Sequence, residues 1–473
     1  MNADALVVGA GVAGLRCALA LADAGMKVVV LEAAPHAGGR AASWPDETTG
    51  VQVDTGPQVL SSEHRNFIAM LKRLGTAEQV LWQRRPLLTL ADARGPLRVT
   101  SPRLPPPLHG LPMLPRALSH LSLRDGLSHR AIAWRAARLD ERGLRDLDVD
   151  DALAYLREMG VTPAAIEWFW RTAVLALLNV PLEQCSAASM MRVFRLLLGR
   201  SGWHLGFPRL ALSQLFVPGC CRAVMRSGGQ VLFGARVRRL RLVGGRFAGV
   251  DLDDGHSVTA AHGVLALPPQ ALAAVAGASD EPLLEPLARV ASYFRPSPCI
   301  STYLWFDRPV TDERLWARVW TRQGLNIAFH DLSNIRPSLA GRGALVGASA
   351  VGPMAREDWD DARIVEHTTQ EVREFAPAAC EARVMHARVQ RLPMAIPQPR
   401  PGIEALRPGA ATQAQGLWIA GDWTDTALPF SLESATRSGA LAAEALLAAA
   451  GRQVSLSLEA PDTRGLVRWF RAA

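Results

Sequence analysis

Gly9, Gly11, Gly14 and Glu32 are spaced along the first part of the chain as a phosphate-binding turn followed by a hydroxyl-binding acid. Residues 5–8 are a short apolar run that reads as a buried parallel strand, and Gly9-Ala10-Gly11-Val12-Ala13-Gly14 leads from it into the helical pattern of 15–24. In that order Gly9 permits the tight turn, Gly11 lets backbone approach a pyrophosphate, and Gly14 lets helix pack on strand, while the positive helix end faces the phosphates. Gly25 ends the helix, residues 27–31 form a second strand, and Glu32 at its end suits adenosine ribose hydroxyls and would repel a 2′-phosphate. These residues ask for a dinucleotide, with FAD and NAD both open. Gly38-Gly39-Arg40 follows at once, bringing backbone to the ligand a second time and adding a guanidinium for phosphate or a flavin edge.

Far downstream, GLWIA (416–420) reads as a strand ending in Gly421-Asp422, and 431–449 as a long helix with Ser431 at its N-cap and Glu433 in its first turn. Asp54-Thr55-Gly56-Pro57, taken alone, is a turn. No GxSxG, HExxH, P-loop or EF-hand spacing occurs. The 6 cysteines form no CxxC pair and no His/Cys ligand spacing, so neither a metal site nor a disulfide framework is expected, and the chain reads as reduced and intracellular. His109, His120, His129 and His204 are scattered and read as surface or satisfied core residues.

The elements that must position these residues follow from length and pattern. A chain of 473 residues, 49% hydrophobic and 20% charged, is long enough for two or three globular domains. The net charge of +8 comes from arginine, since Lys27 and Lys72 are the only lysines. Such a surplus suits nucleic acid, anionic lipid or phosphate ligands and equally reflects base composition; with no aromatic interleaving, no nucleic-acid partner is expected. No run reaches the ~18 apolar residues of a spanning helix, and the N-terminus, which carries Asp4, lacks the basic start of a secretory signal. Residues 223–280 read as short strands joined by Gly-Gly and Asp-Asp-Gly turns, 90–215 as largely helical, and 290–400 as mixed. The reading is an α/β protein. A Rossmann-type dinucleotide domain is built from the discontinuous segments 1–90, 210–285 and 405–455, an α+β substrate domain is inserted at 91–209 and 286–404, and 456–473 is a tail.

A strand-end Glu followed by Gly-Gly-Arg resembles the flavin amine oxidase and phytoene desaturase superfamily. The resemblance selects FAD. It implies that Gly56 lies beside the flavin ring, that Asp422 bonds the ribityl or pyrophosphate region, that backbone near Val237 meets the adenine, and that the helix after Ser431 aims its positive end at the negatively charged reduced flavin. Within that superfamily, WFWRTAVLALLNVPLEQCSAASMMRVFR (168–195), FPRLALSQLF (207–216) and GLWIAGDWTDTALPFSLESATRSG (416–439) resemble the hydroxysqualene dehydroxylases of bacterial hopanoid synthesis. The likeness is weakest over 280–400. Val180 departs from an expected Thr, and Pro57-Gln58 is a variation on the expected Gly-Gln-His.

That resemblance implies a reductive reaction in which hydride passes from flavin N5 to the carbon losing its hydroxyl, giving squalene. Water leaves poorly unless protonated, so a general acid is required. Asp425 and Glu433 are the candidates, each with an alternative role as turn former or helix-dipole partner. The substrate, a long isoprenoid hydrocarbon, needs an apolar pocket, for which Trp168, Phe169, Trp170, Leu175, Leu178 and Phe194 are candidates on spacing that equally suits a core. So insoluble a substrate implies peripheral contact with the inner face of the cell membrane, through 103–124 or the tail 464–473. Electron donor and oligomeric state are not specified. A carotenoid or phytoene desaturase remains open, as does a non-catalytic FAD-binding partner of a squalene-forming complex. An amine oxidase is disfavoured because both lysines fall in the first cofactor segment.

Overall fold

Alternation along the strands Asn2–Val8 and Val28–Glu32 divides their side chains between two layers. Ala5, Val7, Val28 and Val30 are buried on one side of the sheet, and Leu6, Val8, Val29 and Leu31 on the other. The computed structural model describes residues 2–467 except Arg84, Pro461 and Leu466. Gln230–Phe233, Val28–Glu32, Asn2–Val8, Ser257–Leu265 and Leu417–Ile419 pair in parallel, so the beginning, middle and end of the chain meet in one sheet. Helices Val12–Asp23, Arg65–Leu74, Leu212–Arg226 and Leu432–Ala449 cover the first side. The antiparallel meander Val237–Val243 and Arg246–Leu252, with helix Pro269–Ala278, covers the second. Apolar side chains on both faces are what a buried parallel sheet requires.

A second sheet runs in the order Val384–Pro397, Pro296–Phe306, Ala344–Val351, Ala328–Asp331, Leu315–Arg318, Leu88–Ala91, Leu97–Val99. Helix Asp361–Phe375 packs on one face, where the Trp316 ring stacks between Phe329 and Phe375. The opposite face turns toward the nucleotide-binding unit. Leu88–Ala91 joins this sheet by parallel pairing with Leu315–Arg318, so the first nucleotide segment, expected to reach residue 90, ends before Leu88. Helices between residues 123 and 199 form a separate apolar cluster that includes Ile132, Leu156, Trp170, Leu178 and Met191. Among the described residues no helix is long and apolar enough to cross a membrane.

Candidate functional site

The two glycine loops lie against each other. Gly11 and Gly38 form a parallel bridge, and the Gly38 N–H donates to Ala10 O at 2.9 Å. A Cβ on Gly14 would sit 1.9 Å from Gly9 O, so the chain's own packing demands glycine there. Gly11 differs, since its φ of −74° suits any L residue and a Cβ there would meet only Gly39 Cα, at 4.0 Å. The space a side chain would fill is open, lined by backbone, and lies ahead of the N-terminus of helix Val12–Asp23. Glu32 closes this cradle, its carboxylate accepting from Ala10 N at 2.8 Å and Ala34 N at 2.9 Å. The segment leading to Val237 crosses the same strand end, with Ala235 N donating to Glu32 O at 2.9 Å and Gly234 N to Ala34 O at 3.2 Å.

Arg40 and Asp422, 382 positions apart, form a bidentate pair at 2.6 and 3.0 Å, and Arg40 also donates to Ala395 O at 3.1 Å. The buried Asp422 carboxylate, expected on the ribityl or pyrophosphate region, has both oxygens engaged by Arg40. Gly421 N donates to Ser438 Oγ at 2.9 Å, and Ser431 caps helix Leu432–Ala449 by accepting from Ser434 N. The positive end of that helix therefore sits behind the Arg40–Asp422 pair. On the other wall, a Cβ on Gly56 would stand 2.7 Å from Ser301 Oγ, which places the second sheet hard against the Gly56 loop.

Phe169, Trp170, Leu178 and Phe194 line a shallow apolar groove, with Val174, Leu177 and Met190, between helices Arg171–Leu178 and Ala187–Gly199; its open space is about 10 Å³, and Trp170, Val174, Leu178 and Met190 are buried in the helical core. Trp170 and Phe194 rings approach to 4.8 Å. His129 holds the Trp170 indole: its Nδ1 donates to Asp125 O at 3.0 Å, and Nε2 accepts from Trp170 Nε1 at 3.2 Å.

The flavin-containing amine oxidoreductase family matches this chain over residues 12–447. The chain belongs to that family. Hydroxysqualene dehydroxylase of Rhodopseudomonas palustris is 28% identical over 95% of this chain and 99% of that protein. 15-cis-Phytoene desaturase of Synechococcus elongatus is 24% identical over 93% of this chain and 95% of its own length. Among solved structures, cyclohexylamine oxidase from Brevibacterium oxydans superposes with a TM-score of 0.71 at 18% identity, covering 96% of this chain and all of that one. The protein is thus an FAD-dependent oxidoreductase with the family's fold, and the open backbone cradle at Gly11 and Gly39 fits the pyrophosphate of that cofactor.

Within this flavoenzyme the two expected acids have other work. Glu433 is buried, and its oxygens accept from Asn66 N and Asn66 Nδ2, both at 2.8 Å, and from Phe67 N at 2.9 Å. It caps helix Arg65–Leu74, which has no side-chain cap of its own. Burial raises its pKa above the usual carboxylate value, and the N–H donors of Asn66 and Phe67, with Arg437, offset that only in part. A carboxylate that accepts on both oxygens from fixed N–H groups is not placed to give a proton, so Glu433 is not the general acid. Asp425 is exposed; its Oδ1 accepts from Ala427 N at 3.2 Å in a turn where Ala427 takes φ +53°. It forms the turn rather than a proton-donating site.

The pocket candidates also divide. Trp168 donates to Asp92 and stands 5.4 Å from the His120 ring, outside the groove. Leu175 lies on the other face of its helix, on a cavity of about 260 Å³ shared with Arg171, Glu183, Trp320 and Arg322. The residues between Ile166 and Trp170 make a wide π turn, so a strict 3.6-residue period does not carry across it.

Asp54 is the residue whose role the sequence reading missed. Its carboxylate accepts from Ser43 Oγ at 2.6 Å, Leu212 N at 2.8 Å and Arg336 Nη2 at 2.5 Å, while its carbonyl accepts from Tyr303 OH at 2.9 Å. It joins the cofactor unit to the second sheet. An acid two residues before a glycine was the only signal, and turns carry that pattern routinely.

Proposed function

We propose that this flavoenzyme reductively removes the hydroxyl of hydroxysqualene to give squalene, in the synthesis of hopanoid-type triterpenoids. The segment 168–195, which resembles the dehydroxylases, carries the reading; its shallow apolar groove, with partly exposed Phe169, Leu177 and Phe194, is free of charges but has only about 10 Å³ of open space, so the helices on either side must part to admit a long isoprenoid chain. The Rhodopseudomonas relative, named for that reaction, supports it along its whole length. When bound, FAD supplies the hydride, and one proton per turnover carries the hydroxyl away as water.

The chain's own residues hold and polarise. Gly11 and Gly39 offer backbone to the pyrophosphate, Glu32 the ribose, and backbone near Val237 the adenine. Arg40, fixed by Asp422, faces the flavin region, and the first turn of Leu432–Ala449 adds partial positive charge that favours a reduced, anionic ring. Against Gly56 stands the Ser301 hydroxyl, with the Cys299 thiol 3.9 Å beyond it. Burial pushes Cys299 up to about 11, so it keeps its proton at neutral pH.

The phytoene desaturase relatives support a second reading, in which the same cradle and groove serve oxidation of a polyene hydrocarbon. Product analysis separates the two. Reduced protein given hydroxysqualene yields squalene under the first reading; oxidised protein given phytoene yields a desaturated product under the second. Binding without turnover of either by the isolated protein points to a non-catalytic partner.

Delivery from the inner face of the cell membrane belongs to the same proposal. Leu104, Leu108, Leu111, Leu118, Leu123 and Leu127 are exposed within or beside 103–124, as an interfacial segment would have them. In the other candidate segment, Arg464 N donates to Gly199 O at 2.8 Å and Val467 is buried, whereas Leu466 and 468–473 lie outside the described residues. Replacing Leu111 and Leu123 by Asp is expected to release the protein from sedimenting liposomes; undiminished sedimentation sinks the membrane assignment.

A further inference from the structure

One buried cation has no part in the account so far. Arg407 is 7% exposed and lies under the loop that runs from Gly421 to helix Leu432–Ala449. Its guanidinium donates to Asp422 O at 3.1 Å, to Thr424 O at 2.7 and 3.0 Å, to Leu428 O at 2.7 Å and to Thr426 Oγ1 at 3.2 Å. Phe430 covers it at 4.8 Å, and Glu404 pairs with it at 3.2 Å. Two further arginines reach the same loop: Arg192 donates to Ala427 O at 3.1 Å and Arg437 to Thr426 O at 2.7 Å.

The carbonyls of residues 422, 424, 426, 427 and 428 are therefore all turned onto guanidinium groups. Burying an arginine is costly unless its donors are engaged, and here they are engaged mainly by backbone. Such an arrangement specifies the shape of a loop rather than the filling of a core. At one end of this loop Asp422 meets Arg40; at the other Ser431 starts the helix whose positive end serves the flavin. Arg192 comes from helix Ala187–Gly199, which also lines the apolar groove through Met190 and Phe194.

We propose that Arg407 is the positioning residue of the cofactor site: it fixes the loop 421–430 so that Asp422 orients Arg40 and the Leu432–Ala449 helix end addresses the flavin, with Arg192 tying that loop to the groove helix. Lysine presents its donors from a single point and cannot span these carbonyls, so Arg407→Lys and Arg407→Met behave alike.

Both variants are titrated as apoprotein with FAD, and the reconstituted flavin is examined by visible circular dichroism and by its midpoint potential. A positioning role predicts at least tenfold weaker FAD binding, an altered flavin dichroism band and a lower midpoint potential. Unchanged dichroism and potential alongside a lower apoprotein melting temperature overturns the proposal, because Arg407 is then only a structural tie. Thr426→Val, which removes one acceptor and leaves the arginine, is expected to weaken FAD about threefold and to shift the potential in the same direction. Should the Arg407 variants not fold, unaltered FAD affinity and potential in Thr426→Val overturn the proposal by themselves.

Discussion

Replacing Gly11 by alanine separates folding from cofactor binding. The methyl group would meet only Gly39 Cα, at 4.0 Å, and φ at this position is −74°, so the apoprotein accommodates it without strain. The loss of glycine at an N-cap and the lowered entropy of the unfolded chain oppose each other, and apoprotein stability is expected to move by less than about 0.5 kcal/mol. With FAD bound, the same methyl occupies the space through which backbone reaches the pyrophosphate. Losing one or two charge-assisted N–H contacts of about 1.5–3 kcal/mol each weakens FAD by ~3 kcal/mol, about a hundredfold in Kd. Gly14→Ala is the contrast: its Cβ would fall 1.9 Å from Gly9 O, and the packing of helix on strand must yield at a cost of about 3 kcal/mol in the apoprotein itself. Thermal melts of the apoproteins and fluorescence titration with FAD read both quantities. If Gly11→Ala is as unstable as Gly14→Ala, or binds FAD normally, the cradle assignment is refuted.

Glu433→Gln is expected to lower stability by about 2 kcal/mol, through the disrupted cap on helix Arg65–Leu74, while turnover per bound flavin stays within about threefold; a loss of ~100-fold at full flavin occupancy would restore its role as acid. Asp54→Asn leaves the buried Arg336 without its carboxylate and should cost about 3–5 kcal/mol, seen in chemical denaturation as loss of cooperativity between the two units. His330 is buried and His64 partly so, and burial depresses each from 6.5 to about 4. A depressed folded value means that their stabilising contribution is present above pH 6.5 and is lost as pH falls toward 4, about 3 kcal/mol apiece at the limit. His330→Leu should flatten the acid limb of a stability–pH curve, and an unchanged slope would show that the histidine is not buried as neutral imidazole.

The cofactor cradle was legible in the sequence because it is local. Gly9, Gly11 and Gly14 constrain a single turn, and Glu32 ends the strand that pairs directly beside it, so spacing alone places them. The discontinuous sheet was legible for a related reason, since short apolar strands flanked by glycine turns mark both ends of the chain. Other features depend on contacts that no local period encodes. Glu433 finds Asn66 across 367 positions and Asp54 finds Arg336 across 282, so a first-turn acid and a turn acid looked like catalytic or conventional capping groups until their partners were in view. Leu175 and Leu178 share the regular helix Arg171–Leu178 and are both buried and apolar, so residue type and spacing do not tell which of them turns to the groove and which to the cavity beside Trp320. Residues 88–90 read as part of the nucleotide unit because the parallel partner of their strand lies more than two hundred residues downstream, at Leu315–Arg318.

Anaerobic rapid mixing of the fully reduced protein with hydroxysqualene tests the central claim most directly. The account predicts flavin reoxidation with one squalene formed per flavin. It is contradicted if the reduced flavin persists in the presence of hydroxysqualene while phytoene reduces the oxidised protein.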